Sequence, residues 1–305
     1  MSSIKETYIE NIKSKYIYKR VFGNLPKKKL LQIMKYNKKA QNSLNIKEKD
    51  FKEFSDIEIE IYPAFKKYGK FINLINKDEK KYFHMYFDDS KEEIKRNSIR
   101  KKDKVKKIRI IINYKVKSLN RLFENCECIE SIYFNKFDRD NIKNMNSMFY
   151  YCTSLKDLNL TNFNTTNVTD MSSMFRGCSS LKELNIFYFN TTNVIDMSSM
   201  FCGCISLKEL NLSNFNTSMV TNMSSMFDGC SSLVKLNILN FDTTCVTNMR
   251  FMFSGCSNLI ELNISNFNTK SVMDMRGMLG KCSDELKKNK IFKKSNLNKN
   301  AFYDI

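Results

Sequence analysis

Tryptophan is absent from this chain of 305 residues, histidine occurs once, and glycine occurs eight times. Four of those glycines, Gly177, Gly203, Gly229 and Gly255, recur at one fixed position, so no glycine-rich loop is left to cradle a phosphate. The lone His84 lies inside the apolar run "YFHMYF", with no serine or cysteine paired to it by position. No nucleophile, base and orienting group can be assembled from such a sequence, and no enzyme is expected. No apolar run is long enough to span a membrane, and the first twenty residues, "MSSIKETYIENIKSKYIYKR", hold no apolar signal-peptide core. The expectation is an intracellular, cytoplasmic protein with no membrane span.

Cysteine is plentiful, but it is not arranged for metal. Cys126, Cys152, Cys178, Cys204, Cys230, Cys256 and Cys282 stand 26 residues apart. Cys126 with Cys128 and Cys202 with Cys204 are the only close pairs, and neither has a second pair nearby to complete the four ligands of a structural zinc. No metal and no cofactor are expected. Repeated thiols at one position read as a column of small, buried, reduced side chains at strand spacing, about 4.8 Å.

Charge is unevenly spread. Residues 1–117 carry 32 basic and 15 acidic groups, a net of +17, whereas residues 118–283 carry 13 and 14, a net of −1. A basic half of this kind could seek nucleic acid or anionic lipid, but its lysines are scattered with acids among them, as in "KEKDFKEFSD", and read as a solvated exterior, so nucleic acid is not an expected partner. The densest run, "RKKDKVKK" at 100–107, reads as a solvated linker ahead of a strand.

The second half is periodic. Phe123, Phe149, Phe175, Phe201, Phe227 and Phe253 share the 26-residue spacing of the cysteines, the mark of stacked repeats. In "CTSLKDLNLTNFNTTNVTDMSSMFRG", Leu155, Leu158, Leu160 and Phe163 give L-x-x-L-x-L-x-x-F, a short half-buried strand. "NTTN" is a polar turn. Val168, Met171, Met174, Phe175 and Cys178 then recur at three and four, predicting a short helix with Thr169 or Asp170 as its N-cap and Gly177 as its C-cap. One such unit has too little apolar surface to offset the ordering of its own backbone, so stacking is a condition of stability.

These motifs carry a resemblance. The L-x-x-L-x-L core resembles leucine-rich repeats, and "FNTTNVTDMSSMFRGCSSLKELNL" is similar to the BspA-type subfamily, a family of unknown function common in mycoplasmas, other bacteria and protists. The resemblance covers about residues 118–283 and implies an α/β solenoid, a leucine-rich-repeat-like stack of strand plus short helix coils with a mixed α+β N-terminal cap. It departs from ordinary leucine-rich repeats where Phe137, Phe163, Phe189, Phe215, Phe241 and Phe267 replace a buried asparagine.

Four regions follow: a helical hairpin at 1–47, a β-rich cap at 48–117 with strands "IEIEIY" and "YFHMYF", the repeats at 118–283 and a helical C-terminal cap at 284–305. The hairpin, with Ile17, Val21, Phe22, Leu30, Leu31, Ile33 and Met34 on its apolar faces and Pro26 near the start of its second helix, resembles a degenerate F-box without the usual tryptophan. That resemblance implies a substrate receptor of a cullin-type ubiquitin ligase, with the ligase adaptor as partner. The bacterial relatives imply instead a cell-surface adhesin.

The reading that best fits the repeats themselves is a non-catalytic scaffold that binds a protein partner through its sheet face. Asn159, Asn185, Asn211, Asn237 and Asn263 lie between inward leucines and line that face, either as an amide ladder along the stack or as a recognition strip. Phe187, Tyr188 and Leu239 interrupt an otherwise polar pattern and are the candidate anchors for a partner.

Overall fold

The structure, a computed structural model, describes residues 20–25, 30–31, 38–46, 56–74, 77–113, 115–137, 139–288 and 297–303. It divides into two compact units, Met1–Asp56 and Ile57–Ile305. In the first, a short helix Lys38–Ser43 brings buried Ala40 against Phe22, with Leu25, Leu30, Leu44 and Ile46 packed around them. Leu31 is also buried. Ile17, Pro26, Ile33 and Met34 of the expected hairpin lie outside the described residues, as do Ile291 and Phe292 of the expected C-terminal cap.

The second unit opens with alternating isoleucines. β1 (Ile57–Pro63) and β5 (Ile108–Ile112) pair antiparallel with Ile59 opposite Ile110, and Ile57, Ile59, Ile61, Ile108, Ile110 and Ile112 are fully buried. One strand face of β-branched side chains therefore sets both register and core. β3 (Phe83–Phe87) pairs with the free edge of β5. β2 (Gly69–Lys70) and β4 (Ser98–Ile99) form a separate two-stranded ribbon. β1 also pairs antiparallel with β6 (Ile129–Lys136), which pairs parallel with β7 (Asp157–Asn159), giving the mixed order β3-β5-β1-β6-β7. β8 (Glu209–Asn211) and β9 (Lys235–Asn237) make a parallel pair apart from that sheet.

The expected α/β solenoid is not what the chain forms. The protein is mostly sheet and turn, with a mixed five-stranded sheet, and strand pairing does not continue from coil to coil to close a solenoid. Among the described residues of 118–282 there is no helix. The reason is in the backbone of "MSSMFRGC". Ser173 and Gly177 both take left-handed φ, +56° and +73°, which no α-helix tolerates four residues apart. Met174 N donates to Met171 O and Cys178 N to Phe175 O, each closing a four-residue turn whose third residue is the left-handed one, as in type II turns. Two consecutive turns of four reproduce the three-and-four spacing of a helix face while burying the same Met171, Met174, Phe175 and Cys178.

Between those turns the amides point to the next coil. Met171 N donates to Asp196 O (3.1 Å), Ser173 N to Ser198 O (2.8 Å), Phe175 N to Met200 O (2.9 Å) and Gly177 N to Cys202 O (2.7 Å). A file of parallel bridges links Ser118, Asn144, Asp170, Asp196, Asn222, Asn248 and Asp274. Inside, the rings of Phe149, Phe175, Phe201, Phe227 and Phe253 stack at 5.5 to 5.7 Å between successive centroids. Phe163 and Phe189 stack in a second file at 5.9 Å.

Polar groups bind the coils as well. Buried Thr165, Thr191, Thr217 and Thr243 each donate a hydroxyl to a carbonyl of the following coil and accept an amide from it, as in Thr191 Oγ1 to Asn216 O (2.8 Å) and Asn216 N to Thr191 Oγ1 (2.8 Å). The last coil's outward amides are taken up by the C-terminal segment: Gly277 N donates to Asn300 O and Leu279 N to Ala301 O, while Leu286 of the short helix Asp284–Lys287 is fully buried.

Candidate functional site

Each coil presents outward the asparagine that follows its inward-facing leucine, the last strand residue in β7, β8 and β9. Asn159, Asn185, Asn211, Asn237 and Asn263 are all exposed. Their carboxamide oxygens accept the backbone amide two residues on, from Thr161 (3.0 Å), Phe187 (3.2 Å), Ser213 (3.1 Å), Leu239 (3.4 Å) and Ser265 (3.1 Å). These are local Asx turns that end the strands. The expected ladder along the stack is not made by this column, because its oxygens are spent within their own coils.

The amide ladder is built three residues later. Asn162 Nδ2 donates to Phe134 O, Asn214 Nδ2 to Phe187 O and Phe189 O, Asn240 Nδ2 to Leu212 O and Asn266 Nδ2 to Phe241 O, all carbonyls of the preceding coil. Tyr188 occupies this position in one coil. A phenol cannot make that double donation, so among the coils from Asn162 to Asn266 the one holding Tyr188 lacks the clasp.

The same coil lacks strand pairing. Among the described residues, no backbone hydrogen bond ties residues 182–185 to β7 on one side or β8 on the other. Phe187 and Tyr188 project from it, 57% and 64% exposed, with their rings edge to face at 5.5 Å. Beside them a shallow open concavity of about 1090 Å³ crosses four coils. It brings together Asn185, Asn211 and Asn237 with Phe187, while Asn159, Asn263, Tyr188 and Leu239 lie outside its lining. Leu239 is nonetheless 55% exposed.

Two lining residues escaped the sequence reading. Val234 and Ile260 are exposed and apolar, and they continue a column that begins Glu130, Lys156, Lys182, Lys208. The switch from charged to apolar along one column was the available signal. Charge around them is mixed. Lys235 Nζ pairs with Glu209 at 3.0 Å, and Lys182, Glu183, Lys208 and Glu261 add two of each sign to the lining.

The thiols stand apart from this face. Cys178 Sγ donates to Phe149 O (3.2 Å), Cys204 to Phe175 O (3.1 Å) and Cys230 to Phe201 O (3.1 Å), and Cys152, Cys256 and Cys282 repeat the contact, whereas Cys126 at the head of the column turns to Glu124 O. Burial, then the neighbouring thiol, pushes each of these groups well above its ordinary range, so the thiolate is suppressed and with it any nucleophilic or ligand chemistry. His84 in β3 pairs with Glu93 Oε1 at 3.2 Å on a half-exposed surface. Among the described residues no cluster of three potential ligands gathers around a metal position, and no helix is long and apolar enough to cross a membrane.

Two overlapping stretches, 117–210 and 203–302, match the family described as Mycoplasma protein of unknown function, DUF285. The chain belongs to this family. More than half of its length is covered, and the overlap of the two DUF285 matches falls within the coils that line the concavity. No curated protein and no solved structure matches the chain.

Proposed function

We propose that this DUF285 protein is a non-catalytic binding protein that holds a protein partner on the strand face of its repeats, with Phe187 and Tyr188 as anchors and the concavity lined by Asn185, Asn211, Asn237, Val234 and Ile260 as the seat. The observation that carries the reading is the coincidence, in one coil, of two exposed aromatic rings with the loss of both strand pairing and the ladder amide. Surface drift would not be expected to sacrifice stabilising hydrogen bonds and expose two large rings at the same place. Aromatic side chains beside a depression with a mixed charged rim are what partner hot spots are made of. No specific observation favours the ligase receptor, whose F-box motif falls partly outside the described residues, or the adhesin.

The test is site-specific photo-crosslinking in the native cell. A photoreactive residue at position 187 is expected to yield a discrete protein adduct, absent from the same probe at position 273, where Met273 is 88% exposed on another part of the coil. Phe187→Ala with Tyr188→Ala should abolish the adduct at a neighbouring probe on position 213. Equal labelling at 187 and 273, or an adduct indifferent to the double substitution, refutes the assignment.

A further inference from the structure

The basic run at 100–107 is not an isolated solvated linker: it meets a second basic run in space. Pairing of Gly69 with Ile99 and Lys70 with Ser98 lays "FKKYGK" of 65–70 alongside the start of "RKKDKVKK". Continued by one step, the register sets Tyr68 across from Arg100. Lys66, Lys67, Lys70, Lys101, Lys102 and Lys104 are all exposed on this ribbon and its loops. The acids nearby offset little: Asp103 is held by Arg96 at 2.8 Å, Glu124 by Arg121 at 2.9 Å, and exposed Glu127, next to the Cys128 whose thiol donates to Lys70 O, offsets one lysine.

Residues 64–67 close a tight turn, Lys67 N donating to Ala64 O at 3.1 Å, with Phe65 and Lys66 at its corner. Phe65 is 83% exposed and Tyr68 45%, and Lys66 Nζ lies over the Phe65 ring at 5.1 Å. An apolar ring projecting from the corner of a turn among lysines is placed to enter a layer end-on, rather than to lie as a platform under successive bases as in proteins that bind single-stranded nucleic acid. It suits a flat anionic sheet into which one ring dips while the ammonium groups stay among the headgroups.

We infer that the β2–β4 ribbon docks the protein on anionic phospholipid, with Phe65 entering the headgroup–acyl boundary and the lysines of both loops contacting lipid phosphates. This surface is separate from the partner face proposed above and does not depend on it.

The absence of tryptophan supplies the test. In Phe65→Trp the full-length chain carries a single indole, whose emission is expected to shift blue on vesicles of equimolar phosphatidylglycerol and phosphatidylcholine, and to be quenched by brominated lipid. Vesicles of phosphatidylcholine alone should leave it unchanged. Because a chain with net charge +19 can adhere to anionic vesicles non-specifically, two charge-matched pairs are compared by co-sedimentation. Lys66→Gln with Lys101→Gln should weaken partitioning roughly 25-fold, at about fivefold per lysine, whereas Lys208→Gln with Lys270→Gln should leave it within about twofold. The inference is overturned if both pairs weaken binding alike, if the bound Phe65→Trp protein keeps its aqueous emission, or if an oligouridylate shifts the emission and vesicles do not.

Discussion

In β1 and β5 six isoleucines alternate inward along strands of seven and five residues, and the ladder bonds between those strands do the rest. In the coils the strands are three residues long, as in β7, β8 and β9, and such short ladders cannot fix register alone. There the work passes to files of identical side chains: threonine hydroxyls, asparagine amides, cysteine thiols and stacked phenylalanines, each reaching one coil along. The lesson is that repetition substitutes for strand length. A residue in β1 is held by what lies across the sheet, whereas a residue in a coil is held by copies of itself.

That contrast breaks most visibly under deletion of a buried side chain. Phe201→Ala removes a ring stacked on both Phe175 and Phe227, and Ile110→Ala removes a fully buried side chain of β5. Both should cost several kcal/mol, about 3–5 for the ring and about 2–5 for the isoleucine. They should differ in reach. Hydrogen exchange is expected to quicken in the coils flanking Phe201 while β1 and β5 stay protected, because coils contact only their neighbours. Ile110→Ala should instead loosen β1, β3 and β5 together. Uniform acceleration in both variants would mean that the two regions are one cooperative block.

Ser225→Gly decides between turn and helix by sign alone. In a helix interior, glycine in place of serine costs about 0.5 kcal/mol. At the left-handed φ of +54° it should instead stabilise by about 0.5–1 kcal/mol, because glycine has no Cβ to strain there. Denaturant titration reads the difference directly, and a destabilised variant would restore the helix.

How much of this was legible in the sequence depended on whether a feature was an identity or a conformation. The 26-residue period, the buried Phe and Cys files and the strands near 57 and 83 could be read because burial follows residue type and alternation. The turns could not. Apolar residues at 171, 174, 175 and 178 satisfy a helix period and a pair of left-handed turns equally, and the deciding φ at Ser173 belongs to a residue type that seldom adopts it. The exposed Phe187, Tyr188 and Leu239 stood out against a repeating background, whereas Val234 and Ile260 did not, because their column is variable to begin with. The meeting of the two lysine runs was invisible for a different reason: it rests on the pairing of two-residue strands 29 positions apart.

Tyr188→Asn sharpens the comparison within the stack. Placing the ladder residue back in its column offers two donors to the Leu160 and Phe163 carbonyls of the preceding coil, as Asn240 does for Leu212 and Phe215. Stability should rise by about 0.5–1.5 kcal/mol. Crosslinking from position 187 should fall at the same time, because one of the two anchoring rings is gone. A variant that gains stability and keeps its adduct would leave Phe187 as the sole anchor. Loss of stability would mean that the phenol is itself structural.

The smallest effect concerns two aspartates that the stack treats oppositely. Asp274 is held down to about 2, chiefly by its hydrogen bond from Arg276. Half-buried Asp228 is pushed up, chiefly by burial, with the Ser254 hydrogen bond and Arg176 only partly offsetting it. A carboxyl raised by folding contributes stability that is complete below its unfolded pKa and lost as the pH climbs through its folded value. One that is lowered contributes above its unfolded pKa and loses that contribution as the pH falls toward 2. Asp228→Asn should therefore raise Tm at pH 7 by about 2 °C and make no difference near pH 3, whereas Asp274→Asn should lower Tm at pH 7 and converge with the parent in acid. Thermal unfolding of the two variants across that range tests both signs at once. An Asp228→Asn protein less stable than the parent at pH 7 would show that Arg176 and Ser254 outweigh burial there, and that even the odd residues of a column are held by their neighbours along it.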